Sequence, residues 1–291
     1  MTIYRGRFAP SPTGPLHLGS LFAALISYLE ARSHNGEWLL RIEDVDAQRE
    51  QTGARQSIID TLEAHSLCWD GDISYQSDQS QYYERVLQQL ADQKRTYHCP
   101  CSRKQLLSHK GLHLEGCQNK TLDKHDLANC AIKFKMQETQ FSWNDGILGK
   151  INLRCQEDFV LKRKEGFYAY QLAVVCDDII QNITHVVRGS DLLDSTPMQL
   201  TLYHALNTTA PEFSHFPVLL NKKNQKLSKQ TFARAVEQQT ALKNLLDLFT
   251  LLKLPLSHTP KSCEQALQMA LEIWNQDYIP VTKTLNPTFN A

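Results

Sequence analysis

Apolar positions along the chain change period several times, and each change marks an element. Residues 3–8 (IYRGRF) read as a short strand that runs into a proline-rich loop. Leu18, Leu21, Phe22, Leu25, Ile26 and Leu29 then recur at helical spacing, which predicts a helix burying one face. Asn35-Gly36 supplies a stop signal. "EWLLRIEDVD" reads as the next strand, with Glu43, Asp44 and Asp46 at its acidic end. Ile58, Ile59 and Leu62 mark a second helix, and Tyr83, Val86, Leu87 and Leu90 a third. This alternation predicts an α/β fold whose parallel sheet has helical crossovers.

Between Thr96 and about Cys130 the periodicity stops, and cysteine, histidine, lysine and glycine dominate. Residues 96–130 therefore read as an irregular insertion that needs another source of stability. Strand-like runs return with "GILGKINLRC" and "DFVLKRKEGFYAYQLAVV", the second with a hairpin turn near Glu165-Gly166. "THVVRGSDLL" predicts a strand leading into a loop and helix, and "FPVLLNKKNQKLSKQ" a strand ending in a lysine-rich loop. Two helices follow, one with Leu242, Leu245, Leu246 and Phe249, the other with Leu267, Ala270, Leu271 and Trp274.

Composition narrows the class. The 291 residues suffice for one large or two modest domains. The 31 basic and 31 acidic side chains cancel, which argues against a strongly basic coat for nucleic acid. No apolar run reaches transmembrane length, and "MTIYRGRFAPSP" lacks the apolar core of a signal peptide. A cytoplasmic location is the expectation. There the eight cysteines should be free thiols or metal ligands. Cys68, Cys155, Cys176 and Cys263 are isolated and expected in the core.

Two stretches carry candidate chemistry. "RFAPSPTGPLHLGS" places a strand, a stiff loop and a helix N-terminus in succession. Such a terminus offers unpaired N–H groups and partial positive charge, a seat for phosphate. Gly14 and Gly19 permit close backbone approach, His17 can donate to a phosphate oxygen, and Ser20 can cap the helix. Neither a G-x-x-x-x-G-K nor a G-x-G-x-x-G pattern is present. Far downstream, "KLSKQ" sets Lys226 and Lys229 on a loop, where they can neutralise charge growing in a transition state. Taken singly, the first stretch also reads as a capped proline loop and the second as a solvated turn.

Together they resemble the class I aminoacyl-tRNA synthetases. "HLGS" stands where that family has HIGH, and "KLSKQ" where it has KMSKS. "RFAPSPTGPLHLG" and "THVVRGSDLLDSTPMQLTLYHAL" resemble the glutamyl/glutaminyl subgroup, over residues 3–235 in the same order. The resemblance implies a Rossmann-type parallel sheet, with residues 1–235 as the catalytic core and 236–291 as a short C-terminal helical segment. It implies a glutamate site made of Arg7, Ala9, Ser11, Glu43, Tyr170 and Arg188. In it Glu43 holds the ammonium, and the arginines hold carboxylates in bidentate forks. It implies an ATP site at His17, Gly19, Ser20 and Lys229, with His17, Lys226 and Lys229 catalytic and magnesium accompanying the ATP. Ser20 departs from the family's histidine, and Leu227 from its methionine.

Within the insertion, Cys99, Cys101, His113 and Cys117 offer three thiols and an imidazole, enough for one closed tetrahedral zinc site. His125 and Cys130 are alternative fourth ligands, and reduced metal-free cysteines are the competing reading. The family pattern has tyrosine where His113 stands.

About sixty residues follow Gln230, room for two or three helices but no substantial anticodon-binding domain. That layout resembles the short bacterial paralogues in this subgroup. It implies activation of glutamate without tRNA and transfer to the queuosine base at the wobble position of tRNA(Asp), by a monomer unattached to a membrane. The alternatives are aminoacylation of tRNA(Glu) and a non-catalytic tRNA-binding paralogue.

Overall fold

The structure, a computed structural model, describes residues 3–101, 105, 117, 127, 129–155, 157–227 and 234–287. Along the chain, β1 (Arg5–Phe8), α1 (Leu18–Ser33), β2 (Glu37–Ile42), α2 (Ala54–Ala64), β3 (Ser74–Tyr75) and α3 (Ser80–Asp92) come first. Five strands follow: β4 (Thr96–Cys99), β5 (Ala131–Phe134), β6 (Gln140–Asp145), β7 (Gly149–Arg154) and β8 (Phe159–Lys162). The rest is α4 (Tyr170–Ile180), β9 (His185–Gly189), α5 (Thr196–Ala205), β10 (Glu212–Phe216), β11 (Val218–Leu219), α6 (Ala241–Leu251), α7 (Cys263–Ile273) and β12 (Thr284–Leu285).

The α/β expectation holds. β1, β2 and β3 form a parallel sheet in that order, and β9 and β10 a parallel pair. The Thr184 N–H donates to the Arg5 carbonyl at 3.0 Å and links the two. The parallel part is small and only loosely Rossmann-like. β4, β5 and β8 make an antiparallel sheet beside it, and β6 and β7 a hairpin.

α1 departs from the one-faced helix its periodicity predicts. Leu21, Phe22, Ala24, Leu25, Ile26 and Leu29 are all fully buried, and so are Ser27 and Glu30. The parallel strands cover one side, while α6 and α7 add Leu245, Phe249, Leu267 and Ala270 to the same core. The polar residues are satisfied inside it. The Trp38 indole donates to Ser27 Oγ at 3.0 Å and the Trp274 indole to Glu30 at 2.8 Å. α1 ends as expected, with Asn35 at φ 50°. Gly36 is required next, because a Cβ there would come within 2.4 Å of the Tyr4 carbonyl.

Other expectations need correction. "YAYQLAVV" is not strand: Tyr170–Ile180 is a helix in which residues 172–178 are all buried. A short apolar run gives no period that separates a buried helix from a buried strand. In "GILGKINLRC" the first residues form the hairpin turn, and the strand begins at Gly149. The insertion opens on regular structure, since β4 pairs antiparallel with β5. Of the isolated cysteines only Cys176 is buried; Cys155 and Cys263 are half-buried and Cys68 is exposed.

Candidate active site

A cavity of about 320 Å³ opens at the C-terminal ends of β1, β2 and β9. Arg7, Ala9, Ser11, Glu43, Tyr170 and Arg188, residues up to 181 positions apart in sequence, all line it. Phe8, Ala23, Val187, Gly189 and Leu192 complete the wall. The proline loop is pinned by its carbonyls, because proline has no N–H to donate. The Glu43 N–H donates to Pro10 O and the Gln51 N–H to Pro12 O, each at 3.0 Å. The first bond ties the loop carrying Ala9 and Ser11 to the strand end carrying Glu43.

Arg188 is buried, yet every partner it has is neutral. Its Nε–H donates to His215 Nε2 at 3.0 Å and its Nη1 to Gln199 Oε1 at 2.7 Å. Its Nη2 donates to Leu192 O at 3.3 Å and Thr196 Oγ1 at 2.8 Å. Four of five guanidinium N–H groups are thereby held, and among the described residues no carboxylate pairs with it. Burial lowers its proton affinity, and its charge is left for an anionic ligand.

Arg7 is different. Its Nε lies 3.2 Å from Asp178 Oδ1, which also takes Arg41 Nη1 at 2.7 Å. Arg41 is 1% exposed and stands between Asp178, Asp177 at 3.8 Å and Glu43 at 3.7 Å. Burial pushes the Glu43 carboxyl up to about 7, against the pull of Arg41 and Arg7. Burial likewise raises Asp177 to about 6. For Asp178 the two arginines outweigh burial and hold its carboxyl below the usual range. Sequence reasoning missed Arg41, Asp177, Asp178, Gln199 and His215. The available signal was polarity inside apolar runs, "LLRIE" and "VVCDDII", where a charge requires a buried partner.

At the start of α1 the cap is His17 and not Ser20. His17 Nδ1 accepts the Ser20 N–H at 3.2 Å, so one helix-end donor is already taken. Gly19 lies just beyond, and a Cβ there would meet the His17 ring at 3.2 Å and the Leu227 carbonyl at 3.4 Å. The lysine loop, at Leu227, therefore abuts the helix N-terminus. Its stem is fixed by the Leu227 N–H donating to Leu219 O at 2.7 Å and by burial of Leu227. The Val236 N–H donates to Leu16 O at 2.8 Å, bringing the chain back across the same helix end. Lys226 Nζ lies 2.5 Å from Asp191 Oδ2. Lys229 falls outside the described residues, as does His113.

Cys99, Cys101 and Cys117 come together as three buried thiols with sulfurs all within 4.8 Å of one another. Cys101 and Cys117 sulfurs are 3.2 Å apart, well beyond a disulfide bond of about 2.05 Å. Burial raises Cys117 to about 12. Three soft donors converging this closely fit a zinc-type ion, which would hold them as thiolates. Cys130 is buried but does not join the group.

Comparison with known proteins gives the same direction. Residues 4–284 match the family described as tRNA synthetases class I (E and Q), catalytic domain. A glutamyl-Q tRNA(Asp) synthetase of Idiomarina loihiensis is 44% identical over 280 residues, 94% of this chain and 97% of that protein. One from Vibrio parahaemolyticus is 39% identical over all of this chain and 99% of its own. A glutamate tRNA ligase from Elizabethkingia meningosepticum, solved with its amino acid, superimposes with a TM-score of 0.79 at 26% identity. That match covers 99% of this chain and 67% of the ligase. The chain belongs to the class I glutamyl/glutaminyl tRNA synthetase family, among its glutamyl-Q tRNA(Asp) synthetases.

Proposed function

We propose that the protein activates glutamate with ATP in the absence of tRNA and transfers the glutamyl group to the queuosine base of tRNA(Asp). In the first step a glutamate α-carboxylate oxygen attacks the α-phosphorus. The α–β phosphoanhydride bond breaks, and pyrophosphate leaves. In the second, a hydroxyl of the queuosine cyclopentene ring attacks the glutamyl carbonyl, and AMP departs. No covalent enzyme intermediate is needed, so catalysis consists of positioning and charge stabilisation.

The observation that supports this reading is convergence. The six residues singled out for glutamate line one cavity, and its charges suit the ligand. Glutamate brings two carboxylates and one ammonium. Arg188 offers uncompensated positive charge, Arg7 a second guanidinium, and Glu43 an acceptor for the ammonium. Tyr170, Ala9 and Ser11 shape the remaining wall. His17, Gly19 and Ser20 are assigned to the ATP phosphates, with Lys229 stabilising the departing pyrophosphate and Lys226 assisting. Magnesium accompanies the nucleotide, and Cys99, Cys101 and Cys117 hold one structural zinc with His113 as fourth ligand. Residues 1–235 act as the catalytic core and 236–291 as a helical buttress to α1. The protein works as a cytoplasmic monomer.

The named relatives, matched over nearly their whole length, favour the queuosine acceptor over tRNA(Glu). The test is glutamate-dependent ATP–pyrophosphate exchange without tRNA, followed by labelled-glutamate transfer to tRNA(Asp) with and without queuosine. Exchange that requires tRNA, or transfer to tRNA(Glu), overturns the proposal.

A further inference from the structure

Asp145 sits at the end of β6, outside the parallel sheet, yet reaches the cavity through one imidazole. Its Oδ1 accepts backbone N–H groups from Ile147 at 3.2 Å, Leu148 at 3.0 Å and His215 at 3.0 Å. Its Oδ2 lies 2.5 Å from His215 Nδ1, and both side chains are fully buried. A carboxylate only accepts, so the proton of a neutral His215 rests on Nδ1 and Nε2 presents a lone pair. That lone pair receives the Arg188 Nε–H at 3.0 Å. Burial lowers the His215 pKa despite Asp145, and Arg188 acts the same way, so the ring stays neutral.

We infer that Asp145 and His215 are positioning residues that aim Arg188 at the substrate carboxylate without neutralising it. The inference rests on the assignment of Arg188 to glutamate. Its physical content lies in the ring between the two charges. A carboxylate placed directly on Arg188, as Asp178 is on Arg7, would orient the guanidinium but spend its charge on the protein. The neutral imidazole gives the orientation of a hydrogen bond and keeps the anion one ring away. Asp145 decides the tautomer, and the tautomer decides whether Nε2 accepts from Arg188 or opposes it. The β6–β7 hairpin thereby becomes part of amino-acid recognition, although none of its residues lines the cavity.

The test is steady-state ATP–pyrophosphate exchange with the full chain. Asp145→Asn keeps the size and an oxygen for the backbone donors, but turns an N–H₂ toward Nδ1. The imidazole proton then moves to Nε2, where it faces the Arg188 Nε–H. The expected result is a KM for glutamate raised roughly tenfold or more, with KM for ATP and kcat at saturating glutamate within about twofold. His215→Gln retains an acceptor toward Arg188 and should recover much of the glutamate affinity that His215→Leu loses. An unchanged glutamate KM in Asp145→Asn, or an equal loss in kcat and both KM values, overturns the inference. If Asp145→Asn does not fold, equal glutamate KM values in the Gln and Leu variants overturn it alone. Absence of glutamate-dependent exchange in the unaltered protein refutes the parent reading instead, before any substitution is made.

Discussion

Asp178 Oδ1 receives two guanidinium groups, Arg41 Nη1 at 2.7 Å and Arg7 Nε at 3.2 Å. All three side chains are at most 5% exposed. Arg7 lines the cavity, and Arg41 is not among its lining residues. One carboxylate on α4 thus fastens β1 and β2 to the helix that also begins with Tyr170. The core ion pairs and the cavity wall meet at this atom.

Asp178→Asn therefore tests both. It leaves two buried arginines short of a counter-charge, and breaking such a pair costs on the order of 3–5 kcal/mol. A urea or thermal melt should show a loss of that size, with weaker glutamate binding in whatever protein stays folded. A variant as stable as the parent would show that Asp177 and Glu43 already balance Arg41.

Glutamate affinity should depend on pH through Glu43. Burial pushes its carboxyl up to about 7, and only the ionised form attracts the substrate ammonium. As pH falls below about 7, KM for glutamate should climb, approaching tenfold per unit, and Glu43→Gln should flatten the profile. The effect on stability has the opposite sense. A folded-state pKa raised above the unfolded value favours folding at low pH, and that contribution disappears as pH rises through about 7. Asp177, raised to about 6, adds in the same direction. The ligand-free protein should melt lower at pH 8 than at pH 6 from these groups, and glutamate should restore part of the difference. A pH-independent KM excludes the Glu43 assignment.

What was legible in the sequence was whatever a motif carries at short range. Arg7 lies near the end of β1, whose following loop carries Ala9 and Ser11, and Arg188 lies near the end of β9, so each sits in a short motif that family resemblance could locate. The supporting charges have no such signature. Arg41 and Asp178 are 137 positions apart, and nothing local tells which buried acid meets which buried base. "QLAVVCDDII" misled in the same way, because burial on every face erases the helical period that solvent normally writes into a sequence. α1 was mistaken for a one-faced helix for the converse reason: Trp38 of β2 takes Ser27, and α7 with the segment after it covers Glu30, which would otherwise face water. Asp145 and His215 were invisible because a hairpin outside the parallel sheet supplies one end of the relay.

The cysteine cluster predicts a metal content. Purified protein should contain about one zinc per chain. Chelation should release it and lower the thermal midpoint, because three buried thiols at 4.8 Å or less then lose the ion that holds them as thiolates. Cys117→Ser should lower zinc occupancy while leaving the parallel sheet folded. Protein that carries no zinc after purification under metal-replete conditions refutes the site.

The lysine loop separates stability from chemistry. Lys226 and Asp191 are 46% and 32% exposed, so their ion pair contributes about 0–1 kcal/mol, and Asp191→Ala should leave the thermal midpoint nearly unchanged. Lys229→Ala should behave differently. Removing the charge assigned to the departing pyrophosphate should slow adenylate formation by roughly a hundredfold, while the dissociation constant for glutamate moves by less than about twofold. Lys226→Ala should fall between Lys229→Ala and the parent protein in exchange rate. Rapid-quench measurement of adenylate formation, paired with calorimetric glutamate binding, distinguishes these outcomes. An unchanged rate in Lys229→Ala would remove it from the chemistry and leave the phosphates to the His17 end of α1 alone.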